Sequence, residues 1–102
     1  MLELRPICEN CAADLPPASV DARICSYECT FCHDCVDGIL ENVYPNCGGG
    51  FVPRPIRPVQ AWREGVTLSA NPPVGKRNHH PVARDDQRGL IARVGRIAPE
   101  NR

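Results

Sequence analysis

Seven residues carry the chemistry that this chain could do: Cys8, Cys11, Cys25, Cys29, Cys32, Cys35 and Cys47. Their spacing reads C-x2-C-x13-C-x3-C-x2-C-x2-C-x11-C. A C-x2-C pair closes a tight turn whose two thiolates converge on one ion, and zinc takes four such ligands in a tetrahedron. Two C-x2-C pairs, Cys8/Cys11 and Cys32/Cys35, with three further cysteines make a strong metal signal. All seven are expected as metal ligands, with Zn2+ favoured because the spacing suits closed thiolate sites. A four-thiolate site alone does not exclude iron.

Two other uses of cysteine fit less well. An odd count and tight clustering argue against a structural disulfide set. A catalytic dithiol needs a C-x-x-C at a strand–helix junction in a βαβ context, and no such pattern is visible. The opening Met1-Leu2-Glu3-Leu4-Arg5-Pro6 lacks a basic region followed by an apolar core, so a cytoplasmic location is expected. No apolar run approaches the ~18 residues of a membrane span.

The elements that must position the cysteines are short. Arg23-Ile24-Cys25 and Thr30-Phe31-Cys32 are expected to pair as a hairpin around Ser26-Tyr27-Glu28. Val36, Ile39, Leu40 and Val43 form the i, i+3, i+4, i+7 stripe of a two-turn helix, with Asp34 as its cap. Gly38 weakens that helix by about 1 kcal/mol relative to Ala. Pro45 and Gly48-Gly49-Gly50 enforce loop. Apolar residues such as Ile7, Leu15, Val20, Ile24, Phe31 and Phe51 are too few for a self-sufficient core. A structural zinc, worth ~10–16 kcal/mol of apparent binding energy, supplies what is missing.

At 102 residues the chain is one domain at most, and its zero formal net charge hides a split. Residues 1–52 hold two basic and eight acidic residues, a net of −6. Residues 53–102 hold ten basic and four acidic residues, a net of +6, with seven of the eleven prolines and none of the cysteines. The expected organisation is a cysteine-rich zinc-binding domain over 1–58 and a largely disordered basic tail over 59–102. Pro53 to Pro58 favours extended polyproline geometry that packs against the module. Truncation after Pro58 is expected to keep the fold. Within the tail, Leu90, Ile91, Val94 and Ile97 sketch a basic amphipathic helix weakened by Gly89 and Gly95. His79-His80 reads as solvated rather than as a metal site.

The cysteine spacing resembles the RING-type (treble-clef) cross-brace at seven of its eight ligand positions. That resemblance implies a first site of Cys8, Cys11, Cys32 and Cys35, and a second of Cys25, Cys29, position 44 and Cys47. Position 44 is Tyr. The segments MLELRP, ICSYECTFCHDC and PNCGGGFVPRPIRP are similar to a bacterial family of short cysteine-rich proteins, domain of unknown function 1272. The resemblance covers about residues 1–58 and implies zinc binding, without an activity. In that family the segment around 44–47 reads CPNC, whereas here it is Tyr44-Pro45-Asn46-Cys47. The second site therefore lacks a thiolate; Asp37 or a water could complete it, as a weakened structural site or an open catalytic one. Nothing of ubiquitin transfer carries over. The large aliphatic expected before the second ligand is Asn10, and the basic group expected after the last is Gly48.

The expected function is a zinc-binding protein-interaction module without catalysis. The alternatives are a nucleic-acid accessory protein binding through its Arg-rich tail, and a thiol–zinc redox sensor acting at Cys25, Cys29 and Cys47.

Overall fold

The computed structural model describes residues 1–102. The expected hairpin forms from β1 (Ala22–Ile24), one residue earlier than expected, and β2 (Thr30–Cys32). They are antiparallel with Arg23 opposite Phe31. The turn between them closes through Glu28 N–H to the Cys25 carbonyl at 3.0 Å, with Glu28 at φ +65°. β3 (Val52–Pro53) adds antiparallel to the other side of β1, giving the order β2-β1-β3. Proline suits that position, because an edge strand has no inner neighbour needing its missing N–H.

The expected helix is present but displaced. It begins as α1 (His33–Cys35) and widens into a π-helical turn, Val36–Leu40, closed by Glu41 N–H to the Val36 carbonyl. Its cap is Cys32 rather than Asp34: the Cys32 sulfur accepts from the Cys35 N–H at 3.4 Å. A sulfur held at the end of β2 is already in place to do what the Asp34 carboxylate would otherwise do. Glu41 and Asn42 are both left-handed, with φ of 49° and 61°, and they stop the helix before Val43.

The core lies between sheet and helix, from Leu15, Ala22, Phe31, Val36, Leu40 and Tyr44, with Leu4, Ile7 and Val43 also buried. Val20, expected inside, is exposed. Phe31, Tyr44 and Phe51 form an edge-to-face trio with centroids 5.4 to 6.1 Å apart. Each such pair contributes about 0.5–1.5 kcal/mol beyond its buried area. Arg54, only 4% exposed, donates to the carbonyls of Arg5, Leu15 and Pro16, tying the Pro53–Pro58 segment onto the module. Arg57 does the same to Leu2 and Asn71.

The expected disordered tail is corrected: residues beyond 58 are ordered against the cysteine-rich body. The His80 N–H donates to the Glu9 carbonyl at 2.8 Å, and the Val82 N–H donates to Asn10 Oδ1 at 2.8 Å. The chain then enters α2 (Arg84–Val94), which packs on the π-helical turn. Gln87, 3% exposed, donates from Nε2 to the carbonyls of Leu40 (3.3 Å) and Val43 (2.8 Å). A final 3-10 turn, Pro99–Asn101, brings Arg102 to the carbonyls of Asn42 and Gly48. The physical reason is local. The loop after the helix leaves the carbonyls of Asn42, Val43 and Gly48 without backbone partners, and polar tail side chains answer them where a composition rule sees only low apolar content. These bonds also remove the ground for expecting truncation after Pro58 to be harmless.

Candidate metal centre

Each C-x2-C pair builds the same turn. The Cys11 N–H points at the Cys8 sulfur at 3.5 Å, and the Cys35 N–H at the Cys32 sulfur at 3.4 Å. The first turn follows the isolated bridge residue Ile7; the second joins β2 to α1. The Glu9 N–H donates to the Thr30 carbonyl at 2.9 Å, which holds the two turns face to face.

The result is a group of four sulfurs, Cys8, Cys11, Cys32 and Cys35, all within 4.8 Å of one another. Sulfurs at about 2.3 Å from a tetrahedral ion stand about 3.8 Å apart, and the Cys11 and Cys32 sulfurs are separated by 3.7 Å. Cys8 and Cys35 are buried, Cys32 is half-buried and Cys11 is exposed, so the group closes on the core side and faces solvent on the other. Asn10, inside the first turn, donates from Nδ2 to the Cys35 sulfur at 3.3 Å. Burial pushes the Cys32 thiol well above the ordinary range and raises the Cys35 thiol, with the neighbouring Cys8 and Cys11 adding to both. Burial also raises Cys11, but hydrogen bonding from Ala13 and the adjacent thiols outweighs it and leaves that group lowered. Four thiols so close ionise together only around a cation. The residues fit a metal ion held by four sulfurs.

The other three expected ligands do not converge in this way, and the four-sulfur group is the one group of three or more such side chains close enough together to hold a metal ion. Cys25 is buried and its sulfur accepts the Tyr27 N–H at 3.3 Å. Cys29 accepts from the Tyr44 hydroxyl at 2.7 Å, and Asn46 Nδ2 donates to the same hydroxyl at 3.0 Å. Cys47 is exposed, its sulfur taking the Gly49 N–H at 3.3 Å. Burial, and then Cys29, push the Tyr44 phenol up, so it stays protonated and donates. Asp37 does not fill the position either: it lies 2.7 Å from His33 Nε2. His79 and His80 go to the Asn10 carbonyl and to Glu9.

The cysteine-rich half matches the family described as "Protein of unknown function (DUF1272)" over residues 1–57. The chain belongs to the DUF1272 family. A similar protein is "Uncharacterized protein R02474" of Rhizobium meliloti (strain 1021). It is 59% identical over 64 residues, which is 63% of this chain and 76% of the relative. No solved structure matches the chain. Within this DUF1272 protein, the four-sulfur group and the Tyr44–Cys29 pair both lie inside the matched region. Gln87 and Arg102 lie outside it. No helix is long and apolar enough to cross a membrane.

Sequence reasoning missed three participants: Asn10, Gln87 and Arg54. Asn10 was not marked by its place between two ligands, since Asp34, at the same place in the other turn, has a fully exposed side chain. Gln87 carried no signal either.

Proposed function

We propose that this protein is a zinc-stabilised protein-interaction module without catalysis, in which Cys8, Cys11, Cys32 and Cys35 hold one Zn2+ tightly. The convergence of those four sulfurs carries the reading. Four protein thiolates fill the tetrahedron of a closed structural site and leave no position for a substrate or an activated water. Clamping residues 8–11 to 32–35 joins the N-terminal turn to the hairpin and α1, which is what a core of this size needs.

The pairing of Cys8/Cys11 with Cys32/Cys35, skipping Cys25/Cys29, is the order of a RING-like cross-brace. The second position of that brace is weak here: Cys25, Cys29 and Cys47 have Tyr44 as the fourth residue, and its hydroxyl bonds to Cys29. A zinc there would be bound through three thiolates and would leave first.

Nucleic-acid binding through the tail has less support. In the tail, Arg102 is spent on backbone carbonyls, Arg88 is paired with Asp85, and Arg77 lies 3.7 Å from Asp14. Native mass spectrometry with graded chelator, followed by capture of a protein partner on the metal-loaded chain, tests the proposal. One tightly held zinc and a partner lost on chelation support it. A metal-free fold that keeps its partner contradicts it.

A further inference from the structure

We infer that Cys25 and Cys29 form a thiol–disulfide exchange site, at which a low-molecular-weight disulfide oxidises the pair to a cross-strand disulfide. Neither residue belongs to the four-sulfur group. The inference does not depend on the interaction-module reading.

The hairpin sets the pair. Its register places Ile24 opposite Thr30, so the next step puts Cys25 opposite Cys29, and the Cys25 N–H donates to the Cys29 carbonyl at 3.2 Å. Directly opposite residues joined by such a bond have Cα atoms about 5.5 Å apart, inside the roughly 4.4–6.8 Å that a disulfide bridges. Opposite residues of an antiparallel pair also send their side chains to the same face. The turn that holds them is closed by Glu28 N–H on the Cys25 carbonyl at 3.0 Å, and the Thr30 hydroxyl donates to the Glu28 carbonyl at 3.1 Å. Cys47 does not complete a group of three with these two sulfurs.

The two thiols differ in access and surroundings. Cys25 is buried and Cys29 half-buried, so a reagent arriving from solvent meets Cys29 first. The Tyr44 hydroxyl donates to the Cys29 sulfur at 2.7 Å. The Arg5 guanidinium stands beside it as well: burial acts to lower Arg5, but bonding to Cys29 and Glu3 prevails and raises it. A cation and a hydrogen-bond donor at a partly exposed sulfur are the surroundings of reactive cysteines. Burial holds the Cys25 thiol up against the Tyr27 N–H that its sulfur accepts, which suits a second thiol that acts only once an adduct has formed next to it.

The exchange balances in two steps. The Cys29 thiolate, its proton given to water, attacks one sulfur of RS–SR; a Cys29–SR bond forms, and the RS⁻ that leaves takes up a proton. The Cys25 sulfur then gives up its proton and attacks Cys29 Sγ, which forms the Cys25–Cys29 bond and expels the second RS⁻ as RSH. Two protein thiols are oxidised and one RS–SR is reduced to two RSH. A zinc ion bound through Cys25, Cys29 and Cys47 would lose two of its three thiolates in this step, whereas the four-sulfur group keeps all of its own.

The test incubates the reduced full chain with bis(2-hydroxyethyl) disulfide, and follows intact mass, mapping of linked peptides and amide dispersion. The first linked species should be lighter than the reduced chain by two hydrogens, carry its bond between Cys25 and Cys29, and keep its dispersion. Cys25→Ser should stop at a mixed disulfide on Cys29, and Cys47→Ser should leave the Cys25–Cys29 bond unchanged. Where a serine variant fails to fold, the mapping in the wild type decides alone. A first bond between any other two cysteines, adducts that never resolve to Cys25–Cys29, or no reaction at either residue would overturn the inference.

Discussion

The Tyr44 hydroxyl donates to the Cys29 sulfur at 2.7 Å while accepting from Asn46 at 3.0 Å. A phenol thus occupies the place where the cross-brace resemblance calls for a thiolate, and it satisfies one sulfur by a hydrogen bond. Its ring meanwhile packs edge-to-face on Phe31 and Phe51. Position 44 therefore serves the core and the Cys29 sulfur together, and the two roles can be separated by substitution.

Tyr44→Phe keeps the ring and removes the hydroxyl. It leaves Cys29 and Asn46 without their partner, and the expected cost is about 1–2 kcal/mol in denaturant unfolding. Tyr44→Cys restores a thiolate. At free zinc low enough to leave one ion on the wild type, the variant should hold two in native mass spectrometry. A count that stays at one would mean that position 44 does not face an ion.

Asn10 joins the metal group to the tail, with Nδ2 on the Cys35 sulfur and Oδ1 on the Val82 N–H. Asn10→Ala should lower zinc affinity by about 10-fold, the lower end for partners of metal ligands. It should also speed amide exchange at Val82. Both changes are expected together, and a change in one alone would show that the two contacts are independent.

Gln87→Leu keeps the bulk of the side chain and removes both donors to Leu40 and Val43. The Val43 carbonyl loses its partner, at about 1–3 kcal/mol, while the Leu40 carbonyl keeps the Val43 N–H. Hydrogen exchange should then accelerate across Arg84–Val94 while the hairpin keeps its protection. Truncation after Pro58 should destabilise by more, since the Arg102 bonds to Asn42 and Gly48 go as well.

The pH dependence of metal binding follows from the thiols. Burial holds Cys32 and Cys35 above the ordinary thiol range in the metal-free protein, so both are protonated at neutral pH. Binding an ion must expel their protons. Proton competition makes zinc affinity fall as pH falls and rise with pH through neutrality. Competition against a chelator of known pH response between about pH 6 and 8 checks the sign, and an affinity independent of pH would contradict it.

How much of this was legible in the residues differs by element. The hairpin and each C-x2-C turn were, because they lie within short chain segments, whereas the meeting of the two cysteine pairs was implied only by the cross-brace resemblance. The helix was placed too late, since the thiol that caps it was read only as a ligand. In the tail, α2 was sketched by Leu90, Ile91 and Val94, but its docking was not legible. Its docking depends on Gln87 and Arg102 meeting backbone carbonyls some fifty residues away, and such pairings leave no trace in composition or periodicity. The same holds for Arg54, whose buried guanidinium reads in sequence as part of an exposed Pro–Arg run.

The central claim is that one ion on Cys8, Cys11, Cys32 and Cys35 holds the fold together. The most direct test is native mass spectrometry of the reduced full chain, with amide dispersion recorded at each step of a chelator titration. The account predicts that the last zinc leaves at the same chelator concentration at which dispersion collapses, and that Cys8→Ser loses both already without chelator. A chain that keeps its dispersion after the last ion has left, or a Cys8→Ser variant with unchanged zinc content and fold, would contradict it.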